Sequence, residues 1–416
     1  MAQLSDDCFA FGGTLMPVDE ALAIIAARLV AVEGLERVAL HEADNRVLAH
    51  DLIAPVPLPL FANSAVDGYA IASADLPQEA PRAYAVSQRV TAGAVAQPLT
   101  AGTLARIFTG APMPEGADTV FMQEDVESDG DKIILPPGLK PHANMRPAGE
   151  DIAQGAIAIP AGTRLRPQHV ALAAALGLRE LTVRRRIKVA LFSTGNEVVA
   201  PAAPRTSAQL YDSNRYMLAA LLRRLGCEVS DLGILLDERD ALAAGLKQAA
   251  REHDLILTSG GVSTGEEDHM RAAVESVGTL VLWRMAIKPG RPVAMGVIDG
   301  TPFIGLPGNP VASFVTFAYV VRPVMQALAG ACLENLVALP VRANFAYKKK
   351  KGRREYVRAS LNVLSDGTRV AQKFPREGAG LLSSLCETDG LIELPEDCEG
   401  VTPGDTVAFI AYPNLF

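Results

Sequence analysis

Apolar and polar positions alternate with different periods along the chain, and the changes of period divide it into segments. From Val18 to Leu29 the apolar residues recur at helical spacing, after Pro17 at a position where a helix can begin. This pattern predicts a first helix, and a second short helix is expected at 41–48. Three prolines between 55 and 59 then end any helix and indicate the passage to another domain.

Residues 53–151 carry short β-type runs between turns rich in glycine and proline, which predicts a small β domain. After it, a helix at 167–176 ends at Gly177, a residue type that is common just past a helix C-terminus. We expect this later segment to pack on the first helix, so that 17–52 and 152–186 form one discontinuous mixed α/β domain. The strands predicted for the β domain are 69–71, 84–90, 104–108, 119–121 and 132–135.

Strand and helix patterns alternate from 187 to 332. This alternation predicts a three-layer α/β domain, in which a parallel sheet has helices on both faces. Right-handed crossovers then place the carboxyl ends of the strands at one edge of the sheet. A long apolar helix is expected after Pro310. The predicted strands are 188–192, 228–235, 255–257, 280–283 and 303–305, and the predicted helices are 214–225, 240–251 and 266–277.

The pattern changes again in residues 333–416, where short strands replace the helices. A Ser-Asp-Gly turn at 365–367 predicts a hairpin, so this segment is expected to form a small β-barrel or sandwich. The charged run at 348–354 is typical of a solvated strand edge. Strands are predicted at 358–364, 368–374, 391–394 and 406–410.

The composition argues against several classes of function. The 416 residues are 49% hydrophobic and 21% charged, and their net charge of −8 does not suit a general nucleic-acid binder. No run reaches the roughly 18 apolar residues of a membrane span, and the N-terminus lacks the apolar core of a signal peptide. Five cysteines without close pairing are typical of reduced thiols. We therefore expect a cytoplasmic protein that binds neither nucleic acid nor membrane.

Glycine-rich loops and charged residues follow the strands of the α/β segment. In an open parallel sheet, ligands bind beyond the carboxyl ends of the strands. Exposed backbone N–H groups beside cations suit a phosphorylated or oxyanionic ligand. The loops expected to converge on one crevice contain 193–195, 259–261, 284–291 and 307–310.

Three acids, Glu197, Asp237 and Asp268, each follow a different predicted strand. Carboxylates in this arrangement can hold Mg²⁺, which takes one or two protein carboxylates plus substrate oxygens and water. Alternatively, each is an ordinary acid in the first turn of a helix. Lys288 lies in a loop stiffened by two prolines, where a fixed cation can bind a tetrahedral dianion. The other reading of Lys288 and Arg291, which share this loop, is an ion-pair network with the acids, and Arg284 could simply be solvated.

Two loops of the β domain carry polar residues in distinctive strings. Asp67 lies in Asn-Ser-Ala-Val-Asp-Gly-Tyr, and Thr109 lies in Phe-Thr-Gly-Ala-Pro. Judged from residue type and position alone, both side chains can simply form hydrogen bonds to the backbone of a turn.

Taken together, these strings resemble those of one family, the molybdopterin molybdenumtransferases, which comprise the bacterial MoeA proteins and the E domain of gephyrin. The matches follow one another in family order across roughly 17–416. They are NSAVDGYA at 63–70, FTGAPMPEGAD at 108–118, GEDI at 149–152, LFSTGNEV at 191–198, YDSN at 211–214, SGGVSTGEED at 259–268, AIKPGRP at 286–292 and GLPGNPVA at 305–312.

The resemblance implies an elongated four-domain subunit with a MogA-like α/β molybdopterin-binding domain at 187–332 and a C-terminal β-barrel. It implies a homodimer that acts in the last step of molybdenum cofactor synthesis. The implied reaction is Mg²⁺-dependent transfer of molybdate to adenylylated molybdopterin, with release of AMP. Implied partners are molybdopterin adenylyltransferase and the enzymes that accept the cofactor.

The resemblance also implies functions for individual residues, with Asp67 and Thr109 reaching the α/β crevice of the partner subunit. Glu197, Asp237 and Asp268 are implied as magnesium ligands. They are also implied, with Lys288 and Arg284, as catalytic residues. The residues implied in substrate binding are Asp67, Thr109, Arg146, Asp151, Ser193, Thr194, Gly195, Ser259, Gly260, Gly261, Pro307, Pro310 and Arg358.

The chain departs from the family pattern at several positions. Arg284 stands where a lysine is familiar, which keeps the charge and changes the hydrogen-bond geometry. Asn196 replaces a common acid, and Ala379 replaces a serine found in some members. Alternatives to the molybdate reaction are a paralogue that inserts tungsten and a non-catalytic protein that binds cofactor or serves as a scaffold.

Overall fold

A computed structural model describes residues 15–236, 238–260, 269–334 and 336–415. The N-terminal helix runs from Val18 to Arg28 and buries Val18, Ala21 and Ile25. These side chains belong to the same buried cluster as the core of the α/β segment, so the helix does not pack on 152–186 as the sequence indicates. The helix therefore buries its apolar face against the core of the α/β segment.

Two antiparallel strand pairs join the segment before the β domain to the segment after it. Leu35–Ala39 pairs with Glu180–Arg184, and Leu52–Ile53 pairs with Ile157–Ile159. A separate apolar cluster lies between these segments, beside the helix Pro167–Ala175. The domain boundaries at 52, 152 and 186 stay a prediction.

The helix predicted at 41–48 is wrong. The chain forms only a single 3₁₀ turn at Leu40–Glu42. Asn45 then adopts a positive φ of 60°, which is incompatible with a continuing α-helix. Val47 and Leu48 instead form β-bridges with Arg164 and Val183. Pairing with other parts of the chain has overridden the local helical pattern.

The small β domain predicted from the turn residues is confirmed. Its apolar core includes Ile71, Leu104, Phe121 and Leu135. Six of its strands form one sheet, in the order Thr119–Met122, Gly68–Ile71, Leu104–Ile107, Arg82–Val90, Lys132–Leu135 and Glu127–Asp129.

The α/β segment contains one twisted sheet between helices, as predicted, but the sheet is mixed. Pro292–Ile298 was not predicted as a strand and runs antiparallel to both of its neighbours. A short loop at 285–291 turns the chain straight back, so no crossover helix is needed. The sheet order is Glu228–Leu235, Lys188–Thr194, Leu255–Ser259, Thr301–Leu306, Pro292–Ile298 and Gly278–Arg284, and the helices are Asn214–Arg224, Arg239–Glu252, His269–Val277 and Pro310–Leu328.

The reversal keeps the strand ends together. Because Pro292–Ile298 is antiparallel to both neighbours, Gly278–Arg284 and Thr301–Leu306 run in the same direction. Their carboxyl ends therefore lie at the same sheet edge as Thr194 and Ser259.

The long helix Pro310–Leu328 is a core element. In the described part of the chain it is the helix whose length and apolar composition would allow a membrane span, with a mean hydropathy of 1.4. However, 94% of that apolar window is buried inside the protein. The helix contains a π-helical turn at Phe317–Val321 and packs against the N-terminal helix and the sheet.

The C-terminal segment closes into a five-stranded barrel, which decides between the two architectures that the sequence left open. Arg354–Val363 pairs with both Arg369–Lys373 and Gly390–Leu394, and that double pairing closes the ring. The remaining barrel strands are Leu339–Ala343 and Thr406–Ala411.

The charged run at 348–354 is exposed at 348 and 350–352, as expected of a solvated edge, but Lys349 and Arg354 have partners inside the protein. The side chain of Lys349 is buried, and its ammonium donates to the carbonyls of Glu396 and Cys398 at 3.3 and 3.1 Å. Arg354 pairs with Asp19 at 3.0 Å, which ties the barrel to the N-terminal helix. The sequence gives no sign of these partners because they lie far away along the chain.

Candidate functional site

The carboxyl ends of three strands meet in register at one edge of the α/β sheet. Ser193 pairs with Ser259, and Ser259 pairs with Leu306. Gly260 then has a φ of +92° and donates its N–H to the Leu306 carbonyl at 3.1 Å. A Cβ at this position would lie 2.7 Å from the Thr194 carbonyl oxygen, so only glycine fits between the two strand ends.

Asn214 fixes two of these loops to each other. Its buried side-chain amide donates to Ser259 Oγ and to the Gly308 carbonyl, both at 2.8 Å. Asn214 Oδ1 and Ser193 Oγ are also buried, and within the described residues neither has a hydrogen-bond partner. Neither the string YDSN nor the predicted helix start at Asn214 indicates this function.

Glu197 projects from the loop after the first strand. The backbone of Gly195 has a φ of +130°, and a Cβ there would meet Glu197 Oε2 at 2.4 Å, so the carboxylate folds back over the glycine. Glu197 is exposed, and a carboxylate oxygen is the kind of ligand that a hard cation such as Mg²⁺ prefers. Asp237, Asp268 and Gly261 lie outside the described residues. Among those that are described, no three His, Cys, Asp or Glu side chains cluster as a metal site.

A cavity of about 370 Å³ lies between the loops of the α/β segment and the C-terminal barrel. Four cationic side chains line it, against the single carboxylate of Glu377. The lining residues are Lys288, Pro289, Gly290, Pro292, Pro307, Asn309, Ala312, Tyr347, Tyr356, Val357, Arg358, Lys373, Phe374, Arg376, Glu377, Gly378 and Ala379.

Lys288 is held in this wall by residues of the barrel. Its Nζ donates to Tyr347 Oη at 3.0 Å and to Glu355 Oε2 at 3.2 Å, while Tyr347 donates to the same carboxylate oxygen at 2.6 Å. Burial opposes the charge of Lys288, but the bonds to Tyr347 and the charge of Glu355 outweigh it and raise the pKa of the lysine. Lys288 is therefore a fixed cation with 43% of its side chain still exposed.

Arg358 faces the same cavity from the first barrel strand after the basic run. Its Nη1 donates to the Gly378 carbonyl at 2.8 Å and to Ser384 Oγ at 2.9 Å. No carboxylate of the described residues forms an ion pair with it. Burial lowers the pKa of Arg358, so an anion in the cavity would relieve the cost of its charge.

The loop that begins the long helix closes the cavity on the other side. Pro307 lines it, whereas Pro310 occupies the first turn of the helix and does not. The N–H of Val311 donates to the Ala379 carbonyl at 3.0 Å, which joins this loop to the barrel. This contact uses the backbone of residue 379, and it is therefore independent of the alanine side chain there.

Arg284 and Arg291 lie on either side of the Lys288 loop but do not line the cavity. Arg284 ends its strand, and its carbonyl accepts the N–H of Met16 at 2.8 Å. The Arg291 carbonyl accepts the N–H of Met285 at 2.7 Å. The structure thus brings Lys288 and Arg358 to one cavity and leaves Arg284 at the adjacent sheet edge.

Asp67 and Thr109 form a polar pair of their own on the β domain. Asp67 Oδ1 accepts both the N–H and the hydroxyl of Thr109 at 2.8 Å, and these bonds lower the pKa of the carboxyl. The guanidinium of Arg106 lies over the ring of Phe108 beside them, 4.7 Å from its centre. Within the described part of the chain, neither Asp67 nor Thr109 hydrogen-bonds to the α/β segment.

Arg146 and Asp151 also belong to the β domain. Arg146 pairs with Asn63 across two short strands and donates to Glu150 at 3.0 Å. The backbone N–H of Asp151 donates to the Leu58 carbonyl at 3.0 Å. The β domain therefore presents its own polar surface, separate from the cavity in the same chain.

Three family descriptions match successive parts of the chain. They are the MoeA N-terminal region, comprising domains I and II, at residues 16–177, a probable molybdopterin-binding domain at 190–327, and the MoeA C-terminal region, domain IV, at 340–412. Together they span the β domain, the α/β sheet and the barrel described above.

Several proteins and solved structures are similar to most of the chain. The molybdopterin molybdenumtransferase of Haemophilus influenzae is 36% identical over 96% of this chain and 100% of its own. Molybdopterin molybdenumtransferase 2 of Mycobacterium tuberculosis is 33% identical over 88% of this chain and 92% of its own. The crystal structure of the molybdopterin biosynthesis moeA protein from Pyrococcus horikoshii superposes with a TM-score of 0.81 and 31% identity, covering 96% of this chain and 100% of that one.

These similarities cover every segment of the fold, and they agree with the strings found in the sequence. The chain belongs to the molybdopterin molybdenumtransferase family, the transferases of molybdenum cofactor biosynthesis.

Proposed function

We propose that this transferase moves molybdate onto adenylylated molybdopterin in a Mg²⁺-dependent reaction that releases AMP. The observation that carries the proposal is the cavity at Lys288 and Arg358, where four cations face one carboxylate. Molybdate is a tetrahedral dianion, and fixed cations in a partly enclosed site bind such an ion with little reorganisation. Molybdate is here a substrate of the reaction.

The sheet edge next to this cavity supports a place for the phosphates of the second substrate. Gly260 and Ser259 present backbone at the strand ends, and Asn214 holds their loop against the one at Gly308. The absence of a Cβ at Gly260 lets the strand ends at Thr194 and Leu306 pack closely, which fixes the edge that a phosphate would approach. Pro307 belongs to both places, because it follows the strand end and also lines the cavity.

Glu197, with Asp237 and Asp268, would hold Mg²⁺ at the same edge. When bound, the ion neutralises charge on a pyrophosphate bridge as AMP leaves. Lys288 and Arg358 orient the oxyanion, and the loops orient the pterin phosphates. Most of the rate enhancement would thus come from positioning of the substrates and from electrostatic stabilisation.

We also propose that the active form is a homodimer in the cytoplasm, with Asp67 and Thr109 completing the α/β site of the partner subunit. The supporting observation is that this pair is preorganised by two 2.8 Å bonds yet makes no hydrogen bond to the α/β segment of its own chain in the described residues. The same proposal includes receipt of adenylylated molybdopterin from molybdopterin adenylyltransferase and delivery of the finished cofactor to the enzymes that accept it.

The test is AMP release from adenylylated molybdopterin by the full-length protein, with and without Mg²⁺ and molybdate. Arg358→Ala is expected to lower turnover by about 100-fold or more, because it removes a cation from the oxyanion cavity. Arg342→Ala is the matched control, since Arg342 belongs to the same barrel, does not line this cavity, and its guanidinium donates to the Gly404 carbonyl and to Thr406 Oγ1. Release that needs neither ion, or equal turnover in both variants, would refute the proposed reaction.

A further inference from the structure

A second cavity, of about 660 Å³, shares no lining residue with the first. It lies where the segment at 44–45, the loop at 164–166, the end of the helix Asn214–Arg224 and the C-terminus at 413–414 meet. That helix begins at the sheet edge of the candidate site and spans 11 residues, or roughly 16 Å. The cavity therefore lies at the opposite end of the α/β segment, away from the proposed reaction.

Arginines dominate the charge of this second cavity. Arg164, Arg166, Arg224 and Arg322 line it, and the acids among the described lining residues are Asp44 and Glu334. The balance is two positive charges in a protein whose net charge is −8. No aromatic side chain appears among the described residues that line it.

The positive charges are poorly compensated within the chain. Glu334 is shared, because it lies 3.2 Å from Arg166 and 3.6 Å from Arg322. Arg164 donates only to neutral oxygens, those of Asn45 and Leu225.

Burial strengthens this imbalance. Arg322 is only 6% exposed, and burial lowers its pKa and that of Arg164. The charge of Arg164 also acts against that of Arg322. The side chain of Arg224 makes no hydrogen bond or ion pair with the described residues, although its position at a helix C-terminus is favourable to a cation. Glu334 is the one carboxylate that forms ion pairs with these arginines among the described residues, and burial of incompletely compensated positive charge is costly, so an anion placed here would be stabilised.

We propose that this arginine-lined cavity is a binding site for a small polyphosphate anion of the inorganic pyrophosphate class. Several separate guanidinium groups match an ion whose charge is spread over more than one phosphate, because each fork can take two oxygens. The cavity is larger than a single tetrahedral oxyanion requires. Because no aromatic ring is available in its described lining for stacking, the recognised part is the phosphate chain and not a nucleobase.

The test is calorimetric titration of the full-length protein with sodium pyrophosphate, and with sodium sulfate at equal ionic strength. Pyrophosphate is expected to bind at least about tenfold more tightly than sulfate, and more weakly as salt is raised. In the double variant Arg166→Gln/Arg224→Gln, affinity for pyrophosphate is expected to fall about tenfold or more. Both side chains are exposed, so the fold should be retained, and thermal unfolding checks this.

Two controls distinguish this site from its surroundings. Arg223→Gln removes the neighbouring exposed arginine of the same helix, which does not line the cavity, and should leave binding unchanged. The cavity at Arg358 is itself proposed to bind an oxyanion, so both titrations are repeated in Arg358→Ala, where the pyrophosphate binding assigned to the second cavity should persist. Loss of binding in Arg358→Ala with retention in the double variant would overturn the proposal, as would equal affinity for sulfate or no pyrophosphate binding at all. None of these outcomes depends on the transferase reaction.

Discussion

Lys288 Nζ and the Glu355 carboxylate lie 3.2 Å apart, although the lysine comes from the α/β segment and the glutamate from the C-terminal barrel. Glu355 is 1% exposed and also accepts bonds from Tyr347 at 2.6 Å and Arg353 at 2.8 Å. A buried carboxylate thus holds a half-exposed cation at the wall of the cavity that also contains Arg358. The barrel therefore fixes the position of the lysine.

Glu355→Gln is expected to destabilise the protein by about 1–3 kcal/mol, because it leaves buried donors facing a neutral group. The half-exposed Lys288 recovers part of its solvation, so the loss should stay below that of a fully buried pair. Chemical denaturation of both proteins measures the difference. Glu399→Gln breaks the exposed pair with Lys351 and should change stability by less than about 1 kcal/mol. Equal losses in the two variants would contradict this account of Glu355.

The contribution of Glu355 is expected to depend on pH on the acid side only. Burial acts to raise the pKa of Glu355, but its bonds to Tyr347, Arg353 and Lys288 outweigh burial and lower it. A folded-state pKa below the unfolded value of about 4.3 stabilises the protein above that pH, and the gain is lost as the pH falls through the folded value. The raised pKa of Lys288 means that its own contribution is lost only at alkaline pH.

The difference in unfolding free energy between the native sequence and Glu355→Gln should accordingly be constant from roughly pH 6 to 8 and shrink below about pH 4. Denaturant titrations across this range measure it. A difference that instead grew on acidification would mean that Glu355 is protonated in the folded protein.

Gly290→Ala is expected to disturb the loop that carries Lys288. The residue has a φ of +110°, and an added Cβ would lie 2.4 Å from Thr316 Oγ1 and 3.2 Å from the Ala312 carbonyl oxygen. Gly352 is the matched control, with a φ of +85° and no atom within 4 Å of an added Cβ. Gly352→Ala should cost about 1–2 kcal/mol for the backbone alone.

Gly290→Ala should cost about 1–3 kcal/mol more than the control, because it also overpacks the start of the long helix. Denaturant unfolding of the two variants gives the comparison directly. Identical losses would show that the loop moves aside freely and that Thr316 does not restrict it.

If Asp67 acts in the site of the partner subunit, two inactive variants should complement each other. Asp67→Asn and Lys288→Ala are each expected to abolish AMP release, while mixed dimers contain one site without either change. Coexpression in equal amounts should restore about a quarter of the native turnover, since half of the dimers are mixed and each has one intact site. Turnover no higher than that of the single variants would place Asp67 and Lys288 in the same site of one chain.

Local patterns predicted the elements that frame the site, because those elements carry their own signals. The strand Glu228–Leu235 has the predicted bounds, and the helix at Asn214 ends within one residue of its predicted end before Gly226. The strand ends at Ser193 and Ser259 also meet as expected from parallel topology. Whether Asp237 and Asp268 join Glu197 stays a prediction.

The wall that the barrel contributes could not be predicted in the same way. Tyr347 and Glu355 lie 59 and 67 residues beyond Lys288, and no periodicity connects them. The run at 348–354 indicates charge but not partners, so a local reading assigns it to solvent. The strand Pro292–Ile298 was also missed. Its apolar run does not indicate that the chain reverses and pairs antiparallel with both neighbours.

The short parallel pairing of Ile287–Lys288 with Arg354–Glu355 has a consequence for how such a protein can change. The α/β segment and the barrel form a strand pair here, and Tyr347 and Glu355 of the barrel hold Lys288 by hydrogen bonds. If the barrel were replaced by that of another protein, the new barrel would need residues equivalent to Tyr347 and Glu355 in the same register relative to this strand pair. The barrel therefore cannot be exchanged independently of the α/β segment, and the two segments are expected to evolve together at this strand pair.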